Sequence, residues 1–214
     1  MAKLRKLLAC ETVASSGGKC FKKLKRGQIN PDSGLYDANG VLVALWDTLL
    51  ANYGMDDDWD WGTTFGEDVS GSPTNVLKNN SELANGTKFV IDGSIQIIGG
   101  GAFQDCTQLT NVYINEGVKE IWNSGFSGCT SLESIVMPDS MEFIGMTVFR
   151  DCTNLKSITI GKGMWDIRAL AFMNCTSLTD VYFRGTKAQW NNLLNYLGNG
   201  NECLTNATIH YNSQ

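Results

Sequence analysis

The sequence predicts an α/β protein whose central part is a parallel β-solenoid with a helix-containing cap at each end. The first observation is an eight-residue phrase that recurs every 23 residues, with copies beginning at positions 102, 125, 148 and 171. The second is an apolar–x–apolar triplet after each copy, as expected of a short strand with one buried face. The third is an amphipathic pattern after the last copy, which is typical of a capping helix.

The repeat predicts which side chains line the interior. Each copy reads Phe-x-x-Cys-Thr-x-Leu-x-x-apolar-x-apolar, and a second apolar step ending in isoleucine follows it. One such unit cannot bury its apolar face alone, so successive strands should pair in register and extend a single core. The central column is predicted to contain Phe103, Phe126, Phe149 and Phe172. We assign residues 86–185 to this array of four to five repeats.

Residues 186–214 are predicted to be the C-terminal cap, made of a helix followed by a strand. Thr186 and Gln189 have the spacing of a helix capping box, and Gly198 is the predicted stop. The apolar face of this helix would consist of Trp190, Leu193, Leu194 and Leu197. The segment 207–211 alternates like one further strand, so helix and strand together should close the last coil.

Residues 1–85 are predicted to hold a basic arm and an N-terminal cap or accessory region. The turn and apolar patterns indicate two short strands around Asn39–Gly40 and a helix over about 45–53. The region 55–75 is predicted to be a loop, and 76–88 a degenerate first coil.

The charge distribution argues against nucleic acid as the main partner. Residues 1–26 contain eight lysines and arginines and one glutamate, whereas the rest of the chain contains nine basic and 21 acidic residues. An acidic body repels phosphate, and no aromatic–basic pattern accompanies the basic arm. No apolar run approaches the roughly 20 residues of a membrane-spanning helix, so membrane insertion is not expected. The start of the chain likewise lacks the apolar stretch of an export signal.

The seven cysteines divide between the repeat and the rest of the chain. Those that recur with the repeat are Cys106, Cys129, Cys152 and Cys175. A stacked row of thiols neither converges on one metal ion nor matches disulfide geometry, so these are predicted to be reduced core thiols that act as small hydrophobes. Cys10 and Cys20 lie outside the array, and they could pair if the protein is exported.

Candidates for metal binding or catalysis are few. The spacing of a calcium loop is shared by Asp56, Asp58, Asp60 and Glu67. Trp61 stands where such a loop requires glycine, so a solvated acidic loop is the expectation and calcium binding the alternative. His210 is the only histidine and is predicted to be an ordinary surface residue. We therefore expect neither a cofactor nor enzymatic activity.

The exposed face of the predicted sheet is the remaining candidate site. Outward positions on or beside the strands carry Asn111, Tyr113, Val136, Thr159, Asp180, Tyr182 and Arg184. Tyrosine and arginine are common anchors of binding interfaces. The strands are short and offer only ~200–300 Å², against ~800 Å² per partner in a standard interface. The face alone therefore predicts weak binding, or its residues simply keep the sheet soluble.

The phrase Phe-x-x-Cys-Thr-x-Leu-x-x-Ile-x-Ile at this period resembles the BspA-like branch of bacterial leucine-rich repeats, over residues 89–185. The tail "YFRGTKAQWNNL" followed by "NECLTNATIHY" is similar to segments that close many such arrays. The resemblance implies a right-handed leucine-rich-repeat solenoid that serves as a binding scaffold without catalytic residues. It also implies a location at the cell surface or outside the cell, where members often attach to host matrix proteins or other cells.

The sequence therefore predicts a non-enzymatic scaffold that binds a protein or a glycan through its exposed sheet face. The alternative from a different class is a structural component of a larger assembly, such as a phage or cell-surface appendage, docked by its N-terminal region. The oligomeric state is left open by the sequence.

Overall fold

The computed structural model describes residues 33–45, 54–57, 62–66 and 86–213, which build a solenoid with two sheets, of eight and six strands. In chain order the strands are β1 (Gly34–Tyr36), β2 (Leu42–Leu45), β3 (Gly54–Asp57), β4 (Gly62–Phe65), β5 (Lys88–Ile91), β6 (Ile97–Ile98), β7 (Asn111–Ile114), β8 (Glu120–Ile121), β9 (Ser134–Val136), β10 (Phe143–Ile144), β11 (Ser157–Ile160), β12 (Asp166–Ile167), β13 (Asp180–Phe183) and β14 (Thr208–Tyr211). The helices are α1 (Lys187–Leu194) and α2 (Glu202–Asn206).

Each repeat contributes one strand to each sheet. The larger sheet has the order β14-β13-β11-β9-β7-β5-β1-β2, and the smaller sheet has the order β12-β10-β8-β6-β4-β3. Pairing between repeats is parallel and in register: Asn111 lies opposite Ser134, and Ile121 lies opposite Ile144. The predicted parallel solenoid is confirmed. The smaller sheet is a finding, because the isoleucine step had been predicted only as a buried position.

Phenylalanine rings form a continuous column through the interior. Its repeated members are the fully buried Phe103, Phe126, Phe149 and Phe172. Consecutive ring centroids along these four lie 4.8, 5.7 and 5.1 Å apart, with interplanar angles of 9°, 13° and 26°. Phe65 and Phe89 extend the column, since their centroids lie 5.9 and 5.1 Å from that of Phe103. The predicted column is confirmed, and it begins before the first full repeat.

A second column consists of buried thiols, three of which are bonded to the coil before them. Cys129 donates its S–H to the carbonyl oxygen of Phe103 at 3.0 Å, and Cys152 and Cys175 make the same bond one and two coils later, at 3.2 and 3.1 Å. Burial raises the pKa of the Cys152 thiol to about 12, and it also raises the pKa of Cys129 and Cys175. The repeated cysteines are buried thiols, as predicted.

Each coil turns at two corners where one residue has a left-handed backbone. One series has φ between 57° and 64° and consists of Gly101, Ser124, Thr147 and Leu170. The other has φ between 57° and 73° and consists of Asp105, Gly128, Asp151 and Asn174. A side chain other than glycine costs ~1–2 kcal/mol in this conformation. Glycine, aspartate and asparagine adopt this conformation most readily, so the second series agrees with local preference, whereas Ser124, Thr147 and Leu170 in the first series are held there by the stacking of the coils.

Two antiparallel hairpins cover the N-terminal end of the sheets. β1 pairs antiparallel with both β2 and β5, so it joins a hairpin to the larger sheet. β4 pairs antiparallel with β3 and parallel with β6, so it does the same for the smaller sheet. The predicted strands around Asn39–Gly40 are confirmed. The predicted helix over 45–53 lies outside the described residues, except that Leu45 is the last residue of β2.

The prediction of a loop over 55–75 is wrong in its first half. β3 and β4 occupy part of this region, and Phe65 at the end of β4 is fully buried in the phenylalanine column. The strand was missed because four residues reading Gly-Thr-Thr-Phe show no apolar alternation. The buried Phe65 ring and the pairing of β4 with β3 and β6 hold these residues in place.

The C-terminal cap contains the predicted helix and strand. Thr186 is the N-cap of α1: its hydroxyl accepts from the Gln189 N–H at 3.2 Å, and the Gln189 side chain accepts from the Thr186 N–H at 2.8 Å. Trp190 and Leu193 are buried, whereas Leu194 is 37% exposed, so its predicted place on the apolar face is wrong. The helix also ends at Leu194 rather than just before Gly198.

The chain after α1 imitates the backbone of a further coil. The Gly198 N–H donates to the Ile167 carbonyl at 2.8 Å. The buried Asn201 side chain accepts from the Phe172 N–H at 2.9 Å and donates to the carbonyls of Arg168 and Gly198 at 2.9 and 2.8 Å. These bonds satisfy groups that a next repeat would otherwise bind, which is how the last coil ends without exposing them.

Candidate functional site

Parallel pairing arranges the outward side chains of the larger sheet in two rows that cross the strands. The first row contains Lys88, Asn111, Ser134, Ser157, Asp180 and Thr208. The second row contains Val90, Tyr113, Val136, Thr159, Tyr182 and His210. The inward neighbours of these residues are apolar in every coil, whereas neither row keeps one residue type. Folding therefore does not dictate what stands in these rows.

Two exposed tyrosines stand on either side of a strip of shorter side chains across the middle of this face. Tyr113 on β7 is 46% exposed and Tyr182 on β13 is 38% exposed. Shorter, partly exposed side chains of β9 and β11 lie between them: Ser134, Val136, Ser157 and Thr159. Three strand spacings separate β7 from β13, so the two walls stand ~14 Å apart. We call this feature the tyrosine groove.

A histidine ring stacks against Tyr182, one wall of the tyrosine groove. The rings of Tyr182 and His210 are stacked, with centroids 4.7 Å apart and an interplanar angle of 14°. His210 Nε2 is hydrogen-bonded to Asp180 Oδ1 at 2.7 Å, and the Thr179 hydroxyl donates to Asp180 Oδ2 at 2.8 Å. The bond from His210, followed by the bond from Thr179, lowers the pKa of Asp180 below its ordinary value. Because His210 covers one face of the Tyr182 ring, the other face is turned toward Thr159 and the groove.

Two polar side chains near the groove contact polar neighbours. Asn111 Nδ2 donates to the Ser134 hydroxyl at 2.8 Å. The Arg184 guanidinium lies 3.8 Å from the carboxylate of Asp139, which Lys162 also approaches to 3.3 Å. Arg184 thus shares the Asp139 carboxylate with Lys162, and the Arg184 side chain is only 27% exposed.

The structure brings most of the sequence-predicted site residues together. Asn111, Tyr113, Val136, Thr159, Asp180 and Tyr182 all stand in the two rows, while Arg184 follows the last residue of β13. Sequence reasoning missed the part played by His210, which it treated as an ordinary surface residue. The signal was the alternation of 207–211, but His210 pairs with Tyr182 across 28 residues, so counting in repeats does not find it.

The described part of the chain offers neither a metal cluster nor a membrane-spanning helix. Within it, no three histidine, cysteine, aspartate or glutamate side chains are grouped to hold an ion. Asp56 lies in β3 opposite Thr63 of β4, so it belongs to a hairpin and not to an acidic loop. Asp58, Asp60 and Glu67 lie outside the described residues, as do Cys10 and Cys20. No helix there has the length and apolar character needed to cross a bilayer.

The repeated part of the chain matches a family model. The model described as a BspA type leucine rich repeat region (6 copies) matches residues 78–196, which is more than half of the chain. It therefore covers the solenoid from before β5 to beyond the end of α1. No curated protein matches the chain.

Several solved structures of bacterial proteins are similar to the chain. A leucine-rich repeat protein from Bacteroides ovatus is 27% identical over 45% of this chain and 31% of its own, with a TM-score of 0.38. The T. pallidum leucine rich repeat protein is 22% identical over 69% of this chain and 78% of its own, with a TM-score of 0.45. A leucine rich cell surface protein from Faecalibacterium prausnitzii is 22% identical over 65% of this chain and 40% of its own, with a TM-score of 0.42. The first and third of these matches span less than half of the other protein.

Proposed function

This chain belongs to the family of BspA-type leucine-rich repeat proteins, and from that premise we propose that the outward face of its larger sheet binds a protein or glycan partner in adhesion. One observation carries the proposal. The inward side chains repeat from coil to coil, whereas the outward rows hold two exposed tyrosines and a histidine that the repeat does not require. Exposed aromatic side chains with polar neighbours are typical of binding surfaces.

The proposed role is not enzymatic. The family is one of repeat scaffolds, and its pattern assigns no catalytic residue to this chain. Asp180 and His210 form a hydrogen-bonded pair, but a hydrolytic site would also need a hydroxyl or thiol bonded to the imidazole. Among the described residues, Asp180 is the one hydrogen-bond partner of the His210 ring. The pair therefore supports the Tyr182 ring rather than a nucleophile.

The size of the face determines what kind of binding to expect. It offers ~200–300 Å², which is well below the ~800 Å² per partner of a standard interface. A single copy should therefore bind weakly and dissociate quickly. Strong attachment would require many copies acting together, because linking several weak sites raises the overall avidity.

Binding to immobilised matrix proteins and glycans tests the proposal. The full chain is compared with a Tyr113→Ala/Tyr182→Ala variant and with Tyr196→Ala, a matched control whose side chain is 59% exposed on the C-terminal cap. We expect the double variant to lose the binding that the control retains, with melting temperatures within a few degrees of the unaltered chain because all three side chains are partly exposed.

Two results would count against the proposal. Undiminished binding by the double variant would place the interaction elsewhere on the molecule. If, in addition, a chain lacking residues 1–26 failed to bind or assemble, the N-terminal region would carry the interaction, as expected of a structural component.

A further inference from the structure

The tyrosine groove presents a flat aromatic surface to its interior. The stacked His210 ring fixes the Tyr182 ring so that its uncovered face looks across the groove over Thr159. The face of an aromatic ring is electronegative and attracts weakly positive C–H groups laid flat on it. One side of a pyranose ring is a plane of such C–H groups. The wall of the groove is therefore suited to stacking against a sugar ring.

Hydrogen-bonding groups lie next to this aromatic surface. Ser157 pairs with Asp180 and Thr159 pairs with Tyr182, so two hydroxyls and a carboxylate border the ring. Each carboxylate oxygen of Asp180 receives one hydrogen bond, from His210 or from Thr179, and a carboxylate has about four acceptor positions. Acceptor positions thus remain for the hydroxyl groups of a ligand.

The charges around the groove favour a neutral ligand. Arg184 and Lys162 share the carboxylate of Asp139, and Lys156, which precedes β11, lies 3.3 Å from Glu133, which precedes β9. Three basic side chains are therefore balanced by three carboxylates, and the carboxylate that borders the groove is that of Asp180. This carboxylate repels acidic ligands and accepts from hydroxyl groups, so the groove is matched to a ligand rich in hydroxyls and without charge.

From these observations we propose that the tyrosine groove binds a neutral oligosaccharide, with one sugar ring stacked on the uncovered face of Tyr182. The inference rests on the proposed function of the larger sheet, and it chooses the glycan over the protein partner. The dimensions support that choice. Walls ~14 Å apart accommodate a single sugar chain lying along the strands, while the area is too small for a standard protein interface.

Titration with soluble neutral oligosaccharides tests this inference. The full chain is titrated calorimetrically with short cello-, xylo-, manno-, galacto- and N-acetylglucosamine oligomers. At least one oligomer should bind, and Tyr182→Ala should weaken that binding roughly tenfold or more. Tyr182→Phe should keep most of the affinity because the ring remains, and Tyr196→Ala should keep all of it. Added salt should have little effect, because no charge pairs with the ligand.

The outcomes separate this inference from the proposed function. If no neutral oligomer binds, or if Tyr182→Ala leaves binding unchanged, the inference is overturned. Binding to a matrix protein that the Tyr113→Ala/Tyr182→Ala variant loses, without binding to any oligomer, would also overturn it while the proposed function stands. Salt-sensitive binding of acidic oligomers alone would overturn it as well, since the proposed ligand carries no charge.

Discussion

The inward and outward sides of the same strands are governed by different constraints. On β7, β9, β11 and β13 the inward side chains are apolar and buried in every coil, while the outward positions range from serine to tyrosine. Alternate residues of a strand point to opposite faces, so the two sides share a backbone but not an environment. The comparison teaches that the outward surface of this solenoid can vary without changing the packing that holds the coils together.

The largest effect should come from the interior. Phe126→Ala removes a fully buried ring that stacks on Phe103 and Phe149, and it should lower the free energy of unfolding by about 3–5 kcal/mol. Tyr182→Ala, on the outward side, should cost less than about 1 kcal/mol. Chemical denaturation of both variants measures the contrast. If the two variants lost similar amounts of unfolding free energy, the outward side chains would contribute to stability as much as the inward ones.

Gly161 marks a close contact between two coils. It follows β11 and is buried, and a Cβ there would lie 1.9 Å from the carbonyl oxygen of Pro138 in the preceding coil. Gly161→Ala should therefore force the coils apart and cost roughly 1–3 kcal/mol. The control is Lys162→Ala, which alters an exposed neighbour. An unchanged stability of Gly161→Ala would show that the contact between these coils is loose.

The buried thiols should make stability depend on alkaline pH. The unfolded chain can ionise its thiols above about pH 8.5, whereas the buried Cys152 resists ionisation up to about pH 12. Stability should therefore be full below the ordinary thiol pKa and should fall as the pH rises above it, by on the order of 1 kcal/mol per pH unit for each thiol. Denaturation in reducing buffer at several pH values, with Cys152→Ala as the control, measures the slope.

Alkylation gives a second measurement of the same burial. In the native protein, peptide mapping should find the partly exposed Cys203 labelled well before Cys152. Equally fast labelling of the two would contradict a closed interior.

The smallest effect concerns the outward pair of Asp180 and His210. The hydrogen bond from His210 lowers the pKa of Asp180, so the carboxylate should titrate below the ordinary aspartate range. Its contribution to stability is present above that range and is lost as the pH falls through the lowered pKa. NMR detection of the carboxyl carbon should show the midpoint rising in His210→Ala. A midpoint at the ordinary value in the unaltered protein would mean that the pair does not form in solution.

The periodicity of the sequence predicted the parts of the fold in which every coil places the same residue types in the core. The columns of Phe126 and Cys129 were predictable because every coil must fill the same space with the same shape. The ends of the solenoid do not repeat, so the strand carrying Phe65 gave no signal, and Thr64 pairs with Ile97 across 33 residues. The same limit applies to the site. His210 comes from the cap, and its place beside Tyr182 depends on how many residues α1 and α2 take up.

The uniform register has a consequence for how the molecule can change length. Excision of residues 126–148 would join Gly125 to Phe149, which reproduces the junction between Gly125 and Phe126. The equivalent residues of the remaining coils would still stack on one another. The strand β9 would be removed, however, so Tyr113 would lie one strand closer to Tyr182. Gain or loss of whole coils therefore resizes the groove in increments of ~4.8 Å, each of which would admit a ligand of a different width.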